Sequence, residues 1–295
     1  MTRPVEFGIS FAPTWADVDT ILQLSRIADE SGFELIGIQD HPYQWRFFDT
    51  WTLISFLAAR TERVRFFPDV ANLPLRPPAV LAKSAASLDV LTGGRIELGF
   101  GAGAFWDAVA AMGGPRRTPG QSVGAFEEAV DIIRLVWSGE RGVRYDGEHY
   151  QVAGLHTGPK PAHDIGIWVG AGGPRMLDLI GRKCDGWVPS AGWAGRDVLV
   201  AGNGRIDRAA QEAGRDPASI RRLLNVGGVI QPQPGRDFEG PASYWVDVLG
   251  DLASNVGVDT FIFWPSRDEL AQIEVFAAEV IPAVGRDHPA GIPNS

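Results

Sequence analysis

The sequence predicts one α/β domain folded as a (β/α)8 TIM barrel with an inserted hairpin after the fourth unit. Three observations predict it. Short apolar runs alternate with amphipathic stretches along the whole chain. Eight such strand–helix units can be counted, and no linker-like change of composition divides residues 1–295. Some apolar runs are continuous, as strands covered on both faces require. An open doubly wound sheet is the structural rival. The count and the full-length continuity favour closure.

The elements follow in order from local signals. Residues 5–11 form a short apolar run, the first strand. Residues 16–31 carry Val18, Ile21, Leu22, Leu24, Ile27 and Ala28 near helical spacing, and Gly32 stops that helix. Residues 33–38 are a buried strand, 50–60 a helix and 64–70 the third strand. Residues 77–91 are helical with Pro near the start. Gly93-Gly94 turns the chain into the fourth strand, 95–100, and a long helix follows over about 122–137. The rhythm then breaks. Tyr145, Tyr150 and Val152 alternate around Asp146-Gly147, which signals a hairpin at about 141–153 that stands outside the barrel. Strands at 165–169, 186–189, 223–230 and 259–264 resume the pattern. Helices at 174–183, 196–213, 238–254 and 268–281 alternate with them, and a frayed tail is expected from about 286 to 295.

Composition narrows the function. Of 295 residues, 45% are apolar and the net charge is −9, which argues against a nucleic-acid partner. No apolar run reaches the roughly 18 residues of a membrane span. The N-terminus enters a strand with no signal-like segment, and Cys184 is the only cysteine. A cytoplasmic protein acting on a small molecule is expected.

Active sites of such barrels sit at the C-terminal ends of the strands. After the second strand comes Gln39-Asp40-His41-Pro42-Tyr43-Gln44-Trp45-Arg46, rich in groups that move protons or line pockets. His41 as a hydrogen-bonded cap and Trp45 as packing is the bland reading. After the third strand, Asp69-Val70-Ala71-Asn72-Leu73-Pro74-Leu75-Arg76-Pro77-Pro78 reads as a stiff turn. Gly101-Ala102-Gly103 and Gly170-Ala171-Gly172-Gly173-Pro174 each place glycines between a strand end and a helix start. Backbone can approach an anion closely there. Metal binding has little support: His41, His149, His156, His163 and His288 lack ligand spacing. Asp40, Asp69 and Glu97 could form a glycosidase pair, but Asp69 precedes a bend and Glu97 lies mid-strand. No G-x-S-x-G elbow anchors a hydrolase triad.

Four motifs resemble the bacterial-luciferase-like superfamily of flavin-dependent oxidoreductases, and most strongly its members that use coenzyme F420. They are Asp40-His41 with Trp45; Arg76-Pro77-Pro78-Ala79-Val80-Leu81-Ala82-Lys83; Leu91-Thr92-Gly93-Gly94-Arg95-Ile96-Glu97-Leu98-Gly99-Phe100-Gly101-Ala102-Gly103; and Gly170-Ala171-Gly172-Gly173-Pro174 with Asp185-Gly186-Trp187. The resemblance implies a ring held at the barrel mouth, with Asp40, Asp69, Val70, Ala71 and Asn72 beside it. It implies a non-prolyl cis peptide at Asp69–Val70. It implies a phosphate bound by Gly101, Ala102, Gly103 and Ala104 and by Gly170, Ala171, Gly172 and Gly173, with Ser190 nearby. His41 and Trp45 would face the substrate, with His41 moving the proton and Asp40 fixing its tautomer or the ring. The sugar-phosphate dehydrogenase branch has an acid near Ala104 and a lysine near Trp193. Their loss here, with Tyr43, Phe105, Trp106 and Trp193 as pocket aromatics, points to a less charged, more apolar substrate than a sugar phosphate. A homodimer is the expected assembly. The cofactor is read as coenzyme F420, with FMN as the alternative. An FMN-dependent monooxygenase and a non-catalytic binder are the competing functions.

Overall fold

The computed structural model describes residues 3–287. Its core is a parallel sheet of β1 (Glu6–Phe11), β2 (Leu35–Ile38), β3 (Arg65–Pro68), β4 (Ala71–Asn72) and β5 (Leu98–Gly101), continued by β8 (Ile167–Val169), β9 (Gly186–Trp187), β10 (Arg221–Ile230) and β12 (Thr260–Pro265). The hydrogen-bonded order is β3-β2-β1-β12-β10-β9-β8-β5-β4. The two ends meet. Phe66 N–H donates to Arg95 O, and Glu97 N–H donates to Phe66 O, both at 2.9 Å. The ring of strands is thereby closed, as the expected barrel requires. The predicted third strand, 64–70, ends early as β3, and β4 forms in the stretch read as a turn, beyond Asp69–Val70, whose peptide bond is cis.

Helices cover the outside. α1 (Val18–Glu30) starts where the Asp17 carboxylate caps Thr20 N–H at 3.2 Å, and α2 (Thr50–Ala58) where Asp49 caps Thr52 N–H at 3.0 Å. α3 (Pro78–Thr92) ends on Gly93 in the left-handed region, φ 70°. A short α4 (Trp106–Ala111), which the sequence reading passes over, precedes α5 (Pro119–Trp137). α5 begins before the predicted residue 122 because Thr118 and Gln121 form a capping box. β6 (Val143–Asp146) and β7 (Gln151–Leu155) pair antiparallel as a separate hairpin.

α6 (Pro174–Lys183), α7 (Arg196–Glu212), β11 (Glu239–Gly240), α8 (Ala242–Asp251), α9 (Glu269–Val275) and α10 (Ile281–Asp287) complete the chain. π-helical turns over Leu252–Val256 and Phe276–Val280 follow α8 and α9. Both predicted helices therefore run on further than a single α-helix. The chain is still helical at 286–287, where a frayed tail was expected, and the rest of that tail lies outside the described residues.

Inside the barrel, Leu35, Phe67, Trp168, Val188, Leu223 and Ile262 form an apolar plug. Trp168 fits because Gly186 beside it has no side chain: a Cβ there would lie 2.6 Å from the indole. This plug fills the lower barrel and leaves the strand C-termini to shape the mouth. No described helix is long and apolar enough to cross a membrane.

Candidate active site

The C-terminal ends of the strands surround a cleft of 540 Å³. All the residues expected to hold the cofactor line it: Asp40, Asp69, Val70, Ala71 and Asn72 on one wall, Gly101, Ala102, Gly103 and Ala104 on the next, and Gly170, Ala171, Gly172, Gly173 and Ser190 beyond. His41, Tyr43 and Trp193 line it as well. Residues following β2, the β3–β4 pair, β5, β8 and β9 thus converge, although they are scattered over the chain.

Asp40 is buried and lines the cleft, but it makes no hydrogen bond to the His41 imidazole among the described residues. Its carboxylate accepts Arg76 Nε at 2.6 Å, Arg76 Nη2 at 2.7 Å and Asn72 N–H at 2.8 Å. Arg76 also donates to Asp49 at 2.7 Å. A bidentate guanidinium leaves Asp40 occupied, so it fixes the Ala71–Asn72 wall rather than the imidazole. The hydroxyl of Tyr43 takes the place expected for Asp40, lying 2.7 Å from His41 Nδ1. Burial lowers the His41 pKa from 6.5, against an upward pull from Asp40. Phe105 meets the His41 ring edge-on at 5.8 Å and the Tyr43 ring at 6.0 Å.

Three predicted residues are not on the cleft wall. Trp45 is 71% exposed, with its ring 6.2 Å from Trp15 and 4.8 Å from the Arg46 guanidinium. The segment 42–47 folds as a turn, so the spacing that put Trp45 beside His41 in sequence sends it outward. Phe105 is 65% exposed and stands against the His41 and Tyr43 rings. Trp106 packs behind Gly103, where a Cβ would lie 3.0 Å from its ring.

The glycine loops are built differently from one another. Gly103 has φ 105°, a conformation that side chains resist. Gly173 has φ −74°, and Gly172 is not in the left-handed region either, so backbone angle does not call for glycine at this pair. Close approach constrains Gly172 instead: a Cβ would lie 2.7 Å from the Trp193 ring. Trp187 Nε1 donates to Ala171 O at 2.7 Å and anchors this loop. That bond explains the Asp185-Gly186-Trp187 motif.

The floor was not anticipated. Asn225, Trp264, Val188, Met176 and Gln39 also line the cleft. Asn225 donates to Asp69 Oδ1 at 3.3 Å and accepts Trp264 Nε1 at 3.0 Å. A lone polar residue in the apolar run Leu223-Leu224-Asn225-Val226 was the available signal. Asp69 Oδ2 and Asn72 Oδ1 are buried without a hydrogen-bond partner. The unsatisfied Asn72 Oδ1 at the cleft wall is what a donor on a bound polar ring would complete. Neither Asp40 nor Asp69 faces Glu97 as a glycosidase pair: Glu97 binds Arg65 at 2.7 Å and Gly166 N–H at 2.8 Å toward the opposite end. Among the described residues no cluster of three or more metal-type ligands occurs.

A closed parallel barrel whose strand ends converge on one glycine-walled cleft defines a cofactor-cleft member of the TIM-barrel class. The chain belongs to the luciferase-like monooxygenase family, whose model matches residues 5–234. It is 28% identical over 258 residues to the F420-dependent glucose-6-phosphate dehydrogenase of Gordonia bronchialis, covering 83% of this chain and 74% of that one. It is 34% identical over 219 residues to the 5,10-methylenetetrahydromethanopterin reductase of Methanolobus tindarius, covering 72% and 62%. An F420-dependent secondary alcohol dehydrogenase in complex with an F420–acetone adduct shares the fold, with a TM-score of 0.86 at 19% identity over 95% of this chain and 99% of that one.

Proposed function

We propose that this chain is an F420-dependent oxidoreductase that transfers a hydride between the deazaflavin and a small, uncharged organic substrate. His41 carries the reading: its imidazole lines the cleft, Tyr43 holds Nδ1, and among the described residues no protein group bonds Nε2. The residues fit the cofactor. The glycine loops and the N-terminus of α6 suit a phosphate, and the wall fixed by Asp40 and Arg76 suits a flat ring with donors for Asn72 Oδ1. Bound F420 supplies a two-electron hydride acceptor or donor. The chain's own residues do the rest. Tyr43 orients the imidazole, Nε2 exchanges the proton that accompanies the hydride, and Trp193 covers one side with apolar surface.

The substrate class follows from charge. No lysine or arginine lines the cleft, and Ala104 stands in the wall without a charge. One anion can be taken by backbone N–H groups, and the cofactor's phosphate claims that place. A second phosphate on the substrate would have no counter-charge. The activities named for the relatives support F420 chemistry.

An FMN-dependent monooxygenase is the second reading, favoured by the family's own description. Single turnovers separate the two. With F420 and a panel of secondary alcohols, the first reading predicts loss of the oxidised cofactor's absorbance without oxygen. Oxygen uptake by the protein with reduced FMN and substrate, and silence with F420, would establish the second instead.

A further inference from the structure

We propose that Asp69 is a proton-exchanging carboxyl in the cleft floor, positioned by Asn225 and Trp264, which passes between ion and neutral acid in the open cleft and is driven to the neutral acid, taking up a proton, when a ring closes the cleft above it. The identity of that ring rests on the F420 reading. The state of Asp69 does not.

Asp69 sits where β3 gives way to β4, and every element packed on it withholds charge. Asn225 on β10 offers one neutral hydrogen bond, at 3.3 Å to Oδ1. Trp264 on β12 fixes that amide by donating to its oxygen at 3.0 Å, so Asn225 cannot flip to present its carbonyl. On β2, Ile38 O accepts the Asp69 N–H at 2.7 Å and a Cβ at Gly37 would lie 3.2 Å from the Asp69 Cβ, and neither residue carries a charge. Val70 and Trp264 pack on the apolar plug that contains Phe67 and Val188. Oδ2 is shut off from solvent and has no partner. An ionised carboxylate needs several hydrogen bonds or a cation, and here it has one neutral bond. A proton on Oδ2 removes the charge.

Burial pushes the carboxyl up to about 7, with only the Asn225 hydrogen bond pulling down and no charged side chain contributing. The other titratable groups of the cleft are accounted for. Asp40 is committed to Arg76, His41 titrates below its usual 6.5, and the Tyr43 phenol is raised above 10. A ring laid over the floor excludes further water and moves Asp69 higher still. The balanced step is carboxylate plus one solvent proton giving the carboxylic acid. Between the free and bound values, each binding event takes up as much as one proton. Affinity is therefore full below the free value and falls by up to about tenfold per pH unit above it.

Infrared pH-difference spectra of the ligand-free protein test the first half. They are recorded in a Glu34→Gln background, because Glu34 is the other carboxyl pushed to about 7. A protonated-carboxyl band should disappear with a midpoint near neutrality and be missing in Asp69→Asn. Asn225→Leu removes the one bond that favours the ion, so the midpoint should move upward, which a merely structural change would not do. A midpoint in the ordinary carboxylate range overturns the proposal. Calorimetric titration with F420 at about pH 8, in buffers of different ionisation heat, tests the second half. The parent should take up more protons than Asp69→Asn, and the difference cancels protons exchanged by F420 itself. Equal uptake in the two proteins overturns the coupling. Failure of F420 to bind either protein refutes the functional reading and leaves the infrared midpoint to decide Asp69.

Discussion

Burial holds the His41 imidazole below its usual pKa, against the pull of Asp40, so at neutral pH it is an uncharged base. In the alcohol-oxidising direction that is the form required. Turnover should rise with pH through an inflection below 6.5 and stay level beyond it. His41→Asn should slow the chemical step by about 10²–10⁴-fold and abolish that inflection while F420 affinity holds. An unchanged profile in the variant, measured by single-turnover kinetics across pH, would remove His41 from proton transfer. At this scale the sequence was partly legible. The Asp40-His41 pair and Tyr43 could be placed at a strand end, because the end of a buried apolar run marks where polar groups reach the mouth. The partners could not. Arg76 lies 36 residues from Asp40 in sequence. Trp45 leaves the cleft because a turn, rather than a continuous strand, follows His41. Spacing along a chain says nothing of direction once regular structure ends.

Among the elements, the loop entering α6 is where cofactor affinity should be most sensitive. Gly173 has ordinary φ and open space around its missing side chain. Gly173→Ala should therefore leave the thermal midpoint unchanged and weaken F420 binding, since the added methyl meets only the bound phosphate. Gly172→Val should weaken it further, because its Cβ must displace the Trp193 ring. Unaltered affinity in both variants, measured by equilibrium titration, would take the phosphate away from this loop. Strands and most helices were readable from their apolar period, and α5 began early only because a capping box outran the apolar pattern. The Leu91-to-Gly103 motif reads as a binding signature, yet half of it is structural. Arg95 donates to Ala58 O at 2.7 Å and to Val64 O at 3.0 Å, tying α2 and β3 to the fourth strand. Such bonds cross between units and leave no periodic trace in the sequence.

Across the whole molecule, the barrel separates stability from chemistry. Its lower end carries an ion network: Arg65 meets Glu6 at 2.5 Å and Glu97 at 2.7 Å, while Arg221 meets Glu6 at 2.9 Å and Asp259 at 3.2 Å. Glu34 joins this end with no ion pair of its own, only the more distant pull of Arg65. Burial raises its carboxyl to about 7, and Glu6 adds to the rise against the Phe7 N–H bond. Its folded pKa lies above the unfolded one, so its stabilising contribution is complete below about 4.5 and lost as pH rises through about 7. Glu34→Gln should then stabilise the protein at about pH 8 by an order of 1–3 kcal/mol, with the gain shrinking toward pH 5. Denaturant midpoints at the two pH values check this. Closure of the barrel was predictable from eight repeating units, but the floor of the cleft was not. Asp69, Asn225 and Trp264 come from three strands that only the closed ring brings together.

If this cleft is made for the deazaflavin, it should prefer F420 to FMN. Equilibrium titration of the purified protein with F420 and with FMN, followed by the ligands' own absorbance and fluorescence, tests it most directly. Saturable F420 binding at least tenfold tighter than FMN, weakened in Gly172→Val, is the expected result. Tight binding of FMN with none of F420 would contradict it.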